Sequence, residues 1–159
     1  MYSAYTNAYH PTDDVNKNSV NDLINVTKKT FSDFLSEYDI VVVDVWAPWC
    51  GPCLAAGEKL KESLPLFQNF IENKNLIFVK DNIDDEDSVH GLDVRAVPSF
   101  FIYFQGEILF KLNGFNMQEI ENHVNYLLEN LGQNKFEEFS LEKDESSEMI
   151  RFPQKNIGI

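Results

Sequence analysis

Apolar positions change period several times between about Asp22 and Leu131, and each change marks an element. Leu23 to Thr27 is a short strand candidate. From Thr30 to Tyr38, the residues Phe31, Phe34, Leu35 and Tyr38 recur at helical spacing. Ile40 to Trp46 (IVVVDVW) is a β-branched run of the kind found in strands covered on both faces. A helix is predicted from about Cys50 to Ser63, broken or kinked at Leu64-Pro65. Leu66, Phe67, Phe70 and Ile71 continue as a second amphipathic set. Leu76 to Asn82 (LIFVKDN) is the next strand, and Asp84 to Gly91 is predicted to form a short helix. Ser99–Phe104 and Glu107–Leu112 alternate about Gln105-Gly106, which reads as a hairpin. Met117 to Leu131 closes the series as a helix with Ile120, Val124, Leu127, Leu128 and Leu131 inward and Gly132 as its stop.

The order βαβαβ followed by ββα predicts an α/β fold, with a mixed central sheet of four to five strands and helices on both faces. Three segments follow: a polar N-terminal extension over 1–21, a body over 22–131, and a C-terminal extension over 132–159. In the last, FEEFSLEKDESSEM reads as loosely helical or disordered, and the final residues carry no pattern. Residues 1–20 lack the basic start and apolar stretch of a secretory signal, and no run approaches the length of a membrane span. The expected compartment is the cytosol, with no membrane partner.

Charge narrows the partners. The chain carries 26 acidic against 13 basic side chains, a formal net charge of -13. Phosphate binding needs a basic footprint, so no nucleic-acid partner is expected. The body over 21–131 holds eighteen of the acids and eight of the bases, and the densest run, Asp81 to Asp87, has five acids and no base. It is read as a solvated face whose acids favour a helix start, with electrostatic selection of basic partners left open.

Between the central strand and its helix lies Trp49-Cys50-Gly51-Pro52-Cys53, and these are the chain's two cysteines. A thiol at a helix start faces unpaired N–H groups and the positive end of the dipole, which favour the thiolate. The thiolate is the nucleophile of disulfide exchange. The second cysteine, one turn on, is close enough to resolve a mixed disulfide. Cys50 is therefore the expected attacking thiol and Cys53 the resolving one, giving a redox-active Cys50–Cys53 pair with no bound cofactor. A zinc site would need two further ligands, yet no other cysteine exists and His10, His90 and His123 are scattered, so no metal is expected.

VVVDVWAPWCGPC, from Val41 to Cys53, resembles the active-site segment of the thioredoxin family. NVTKKTFSDFL resembles the family's first strand and helix, Val94-Arg95-Ala96-Val97-Pro98-Ser99 its cis-proline loop, and FFIYFQGEILFKLNGF its closing hairpin. The resemblance covers roughly residues 22–131 and implies a thioredoxin fold. It also implies that Asp44, six residues before Cys50, is the family's buried acid. A carboxylate inside an apolar strand has a raised pKa through desolvation, which suits a proton acceptor for Cys53. Lys80 matches the lysine beside that acid. Pro98 matches the cis-proline, with the Val97 backbone binding an extended substrate as an added strand. Trp49, Gly51, Pro52, Val97, Pro98 and Gly114 would form the substrate-docking face, joined by Phe115, while Trp46 packs beneath it.

Three positions and the length of one stretch depart from the family pattern. Glu58 stands where a proline is common, and Leu54 where a base often follows the second cysteine. The Cys53–Lys80 stretch is about five residues longer than usual, and Asp81 replaces an apolar strand residue. The resemblance implies a thiol–disulfide oxidoreductase that reduces disulfides in partner proteins. It would maintain cell redox homeostasis by electron transport from a thioredoxin-reductase-type donor, and would act as a monomer. The alternative is a thioredoxin-fold adaptor whose main role is protein–protein interaction, with the extra segments as contacts.

Overall fold

The computed structural model describes residues 23–131 and 149–151. The elements are β1 (Ile24–Asn25), α1 (Phe31–Glu37), β2 (Ile40–Trp46), α2 (Gly51–Ser63), a 3₁₀ turn (Leu64–Phe67), α3 (Gln68–Glu72), β3 (Leu76–Asn82), β4 (Ser99–Phe104), β5 (Glu107–Asn113), α4 (Met117–Glu129) and β6 (Met149–Arg151). The strands form one mixed sheet in the order β1-β3-β2-β4-β5-β6. β3 runs parallel to both β1 and β2, whereas β2–β4, β4–β5 and β5–β6 are antiparallel. The mixed sheet flanked by helices is the predicted fold class, with one strand more than the four to five expected.

β2 is central because its side chains are apolar on both faces, so it can only sit between two neighbours and two layers. Alternation sorts the core. Ile40 and Val42 join Phe100, Ile102, Leu76 and Phe78 beneath α2 and α4, which contribute Leu60, Ile120, Val124 and Leu127. Val41, Val43 and Val45 face the other way, with Ile77, Val79 and Phe101, beneath Phe31 and Phe34 of α1 and Tyr38 just after it. Phe34 is fully buried there. Phe34→Ala is expected to cost about 3–5 kcal/mol by cavity formation, read as a lower urea midpoint at unchanged slope.

The β4–β5 hairpin turns through Gln105 and Gly106, whose φ values are 51° and 86°. A two-residue turn of this hand matches strand twist and needs positive φ at both positions. α4 starts after Asn116, whose side chain accepts a hydrogen bond from the Glu119 N–H at 3.1 Å. Its predicted stripe holds, with Ile120, Val124 and Leu127 buried and Leu128 and Leu131 packed against them.

Two expectations change. No helix forms over Asp84–Gly91, which is a chain of turns. Asn82 Oδ1 accepts from the Asp84 N–H and Asp85 Oδ1 from the Asp87 N–H, and such short acceptors compete with a helix for the backbone. Asp81 is not part of a solvated face either: it is fully buried, and its carboxylate binds the loop that follows. Met149–Arg151 add β6 to the β5 edge, pairing Leu112 with Met149 and Phe110 with Arg151. Those residues fall in the segment read as loosely helical or patternless. The readings for 1–22, 132–148 and 152–159 lie outside the described residues.

Candidate active site

The site forms where β2 ends and α2 begins. Cys50 is the N-cap of α2, with extended backbone (φ −97°, ψ 107°), and its sulfur accepts a hydrogen bond from the Cys53 N–H at 3.1 Å. Pro52 fits the first turn, where an N–H would have no helical partner. Cys50 and Cys53 are joined in a disulfide, so the structure is the oxidised state. In the reduced state, the same N–H groups and the helix dipole are positioned to stabilise a Cys50 thiolate. Both cysteines are buried as residues, but only Cys50 borders the open groove alongside.

That groove has a volume of about 510 Å³. Trp49, Cys50, Gly51 and Pro52 form one wall. Val97, Ala96, Arg95, Val94 and Ile83, from the segment between β3 and β4, form the other. The Val97–Pro98 peptide bond is cis, and the Val97 carbonyl oxygen lies 3.9 Å from the Cys50 sulfur. Trp49 is 67% exposed, and its indole N–H points to Asp84 Oδ1 at 3.4 Å, a long contact that links the two walls.

The predicted docking residues are brought together unevenly. Trp49, Gly51, Pro52 and Val97 line the groove. Pro98 is buried next to Val97 and its carbonyl accepts from the Gly114 N–H at 2.9 Å, and neither Pro98 nor Gly114 lines the groove. Gly114 has φ 84°, a conformation that favours glycine. Phe115 packs on Phe100 in the core face of the sheet. Trp46 is partly buried against Ala47 and the cysteine pair, beneath the site as predicted. The sequence reading missed Ile83 and Asp84, and it quoted Val94, Arg95 and Ala96 only as part of the proline loop. Their one sequence signal was that loop.

Asp44 continues the Ile40–Val42 face that α2 covers. It is 2% exposed, and its Oδ1 has no hydrogen-bond partner. Burial pushes its carboxyl up to about 7, and the positive charge of Lys80, its register partner on β3, limits the rise. The Lys80 Nζ stands 5.1 Å from the centre of the Trp46 ring, so Trp46, Asp44 and Lys80 form one patch behind the cysteines. The arrangement supplies a nucleophilic sulfur at a helix start, a second sulfur one turn on, and a buried acid that can exchange a proton near neutral pH. Among the described residues, no group of three or more His, Cys, Asp or Glu is placed to hold a metal ion.

A family model described as Thioredoxin matches residues 22–126. The thioredoxin of Coprinus comatus is 30% identical over 98 residues, covering 59% of this chain and 86% of that protein. The Homo sapiens thioredoxin is 32% identical over 91 residues, covering 56% and 80% respectively. Among solved structures, thioredoxin f from spinach chloroplast superposes with a TM-score of 0.57 at 25% identity, covering 69% of this chain and 88% of that one. Oxidised mitochondrial thioredoxin 3 from Saccharomyces cerevisiae gives a TM-score of 0.56 at 26% identity, covering 66% and 95%.

Proposed function

Because the chain belongs to the thioredoxin family and is a thiol–disulfide oxidoreductase, we propose that it works in the reducing direction, on disulfides of partner proteins. The observation that carries this reading is the Cys50 sulfur at the α2 N-cap, opening onto a groove whose far wall includes Val94 to Val97. An extended substrate segment would add to the backbone of Val97 as a strand, against the apolar faces of Trp49 and Pro52.

The cycle needs only the two cysteines and one proton acceptor. The Cys50 thiolate attacks one substrate sulfur, and the other substrate sulfur leaves as thiolate. Cys53, deprotonated by Asp44, then attacks the Cys50 sulfur and releases the second substrate thiol. The substrate disulfide gains two electrons, and the Cys50–Cys53 disulfide of the structure is the oxidised product. Lys80 tempers the charge on Asp44. A thioredoxin-reductase-type donor would return the electrons, and the cytosol is the expected compartment.

Gly-Pro between the cysteines supports the reducing direction, since it lacks the histidine found between the cysteines of oxidising isomerases. Equilibration with glutathione redox buffers is expected to give a potential near −270 mV, roughly the general value for thioredoxins. A value close to about −180 mV, that of an oxidising isomerase, would refute the reducing role.

A further inference from the structure

The segment between β3 and β4 supplies one whole wall of the groove, yet it contains no helix and no strand. What holds it lies on the opposite face of the sheet from Asp44. Asp81 near the end of β3 is fully buried, and its carboxylate accepts four hydrogen bonds from the loop. Ser88 Oγ and the Val89 N–H donate to Oδ1 at 2.9 and 3.2 Å, and the His90 N–H and Nδ1 meet Oδ2 at 2.7 and 2.8 Å. His90, 2% exposed, uses its other ring nitrogen to reach the Tyr103 hydroxyl on β4 at 2.8 Å. The clamp therefore ties β3, the loop and β4 together.

The hydrogen bonds constrain its internal chemistry at His90 Nδ1. Burial alone would raise the Asp81 carboxyl, but the bonds from His90 and Ser88 bring it below the ordinary range, so it is an ionised acceptor. His90 Nδ1 must then carry a proton. With the imidazole neutral, Nε2 is the acceptor and the Tyr103 hydroxyl is its donor. Burial, with the nearby charges of Asp93 and Asp81, holds the Tyr103 hydroxyl protonated and able to donate. Phe31 and Phe101 pack on the imidazole and fix its plane. A Cβ on Gly91 would stand 3.0 Å from Ser88 Oγ, so glycine permits the close turn here.

We infer that the Asp81–His90–Tyr103 clamp positions the β3–β4 wall of the groove and so sets how tightly a protein disulfide is held, without taking part in the thiol exchange. The inference rests on the groove being the substrate site of the oxidoreductase. The clamp brackets the wall: Asp81 lies two residues before Ile83, and His90 four before Val94. The cysteines are carried instead by β2 and α2. Loosening the clamp should therefore weaken docking of an extended polypeptide while leaving the dithiol unchanged. Asp81→Asn is the sharpest perturbation, because its amide N–H₂ would face donors where the carboxylate accepted them.

The test mixes the pre-reduced full chain with insulin or with oxidised glutathione, following the change in Trp fluorescence. In Asp81→Asn the half-saturating insulin concentration is expected to rise about tenfold, with the limiting rate and the glutathione disulfide rate within about twofold of wild type. Tyr103→Phe, which removes one hydroxyl only, should raise it about threefold and keeps the test available if Asp81→Asn does not fold. Ring ¹⁵N spectra of the wild type should show the Nδ1–H tautomer of His90. Equal losses on both disulfides, an unchanged half-saturation in both variants, or an Nε2–H tautomer overturns the clamp. A wild type that reduces neither disulfide overturns the oxidoreductase reading itself, and the clamp's role with it.

Discussion

Cys50→Ser is expected to lower protein-disulfide reduction by at least about a thousand-fold while leaving the fold intact. The attacking atom must be an anion near neutral pH. The α2 N-cap provides that for a thiol, whose ordinary pKa is about 8.5, but not for an alcohol. Cys53 cannot substitute. It is 2% exposed inside the first turn of α2 and does not border the groove, so a substrate sulfur docked against Val97 meets Cys50 alone. The complementary variant separates the two roles. Cys53→Ser keeps the attack and removes the resolution, so it should accumulate a covalent one-to-one complex with insulin, visible on a non-reducing gel and released by dithiothreitol. If Cys50→Ser retained reduction, or if Cys53→Ser formed no complex while Cys50→Ser did, the order of attack would be reversed. Neither result would follow from an N-cap sulfur in the open groove.

The parts of the fold legible in the sequence are those where local pattern and tertiary context agree. The IVVVDVW run could only be a strand buried on both faces, and it became the centre of the sheet. Gln105-Gly106 between alternating segments could only be a tight hairpin. The site was legible for a related reason: a thiol pair one turn apart at a strand–helix junction leaves little freedom in placement. What stayed illegible depends on partners distant in sequence. Met149–Arg151 have no periodicity to detect in three residues, and they are a strand through the pairing that the β5 edge offers. Asp84 to Gly91 shows enough helical spacing to suggest a helix, but its carboxylates and its serine find local or β3 partners instead. Asp81 reads as a misplaced charge in an apolar strand until His90, Ser88 and Tyr103 arrive around it. The far wall of the groove has the same character, since Ile83 and Arg95 become neighbours of Trp49 only once the loop is folded.

Asp44→Asn should separate the stability of the chain from its catalysis, with a sign set by burial. In the folded chain the Asp44 carboxyl is pushed up to about 7, mainly by burial, against an ordinary value of 3.8. The native state therefore binds a proton more tightly than the unfolded chain. Below about pH 4 the group is protonated in both states and costs nothing. Between about pH 4 and 7 stability falls as pH rises, and above 7 the buried charge exerts its full penalty. Three pKa units at about 1.4 kcal/mol each set that penalty at roughly 4 kcal/mol. Asparagine keeps the shape and stays neutral, so in urea titrations of the oxidised protein the variant should gain about 2–4 kcal/mol at pH 8 and almost nothing at pH 4. The same substitution should slow release of the mixed disulfide near neutral pH, because Cys53 loses the acceptor for its proton, while attack by Cys50 is spared. A gain of equal size at both pH values would show that Asp44 titrates normally, and an unchanged release step would remove it from the chemistry. A buried acid whose Oδ1 lacks a partner destabilises the fold, and the proposed proton transfer from Cys53 would give that cost a function, so the two readouts of Asp44→Asn test the burial and the chemistry separately.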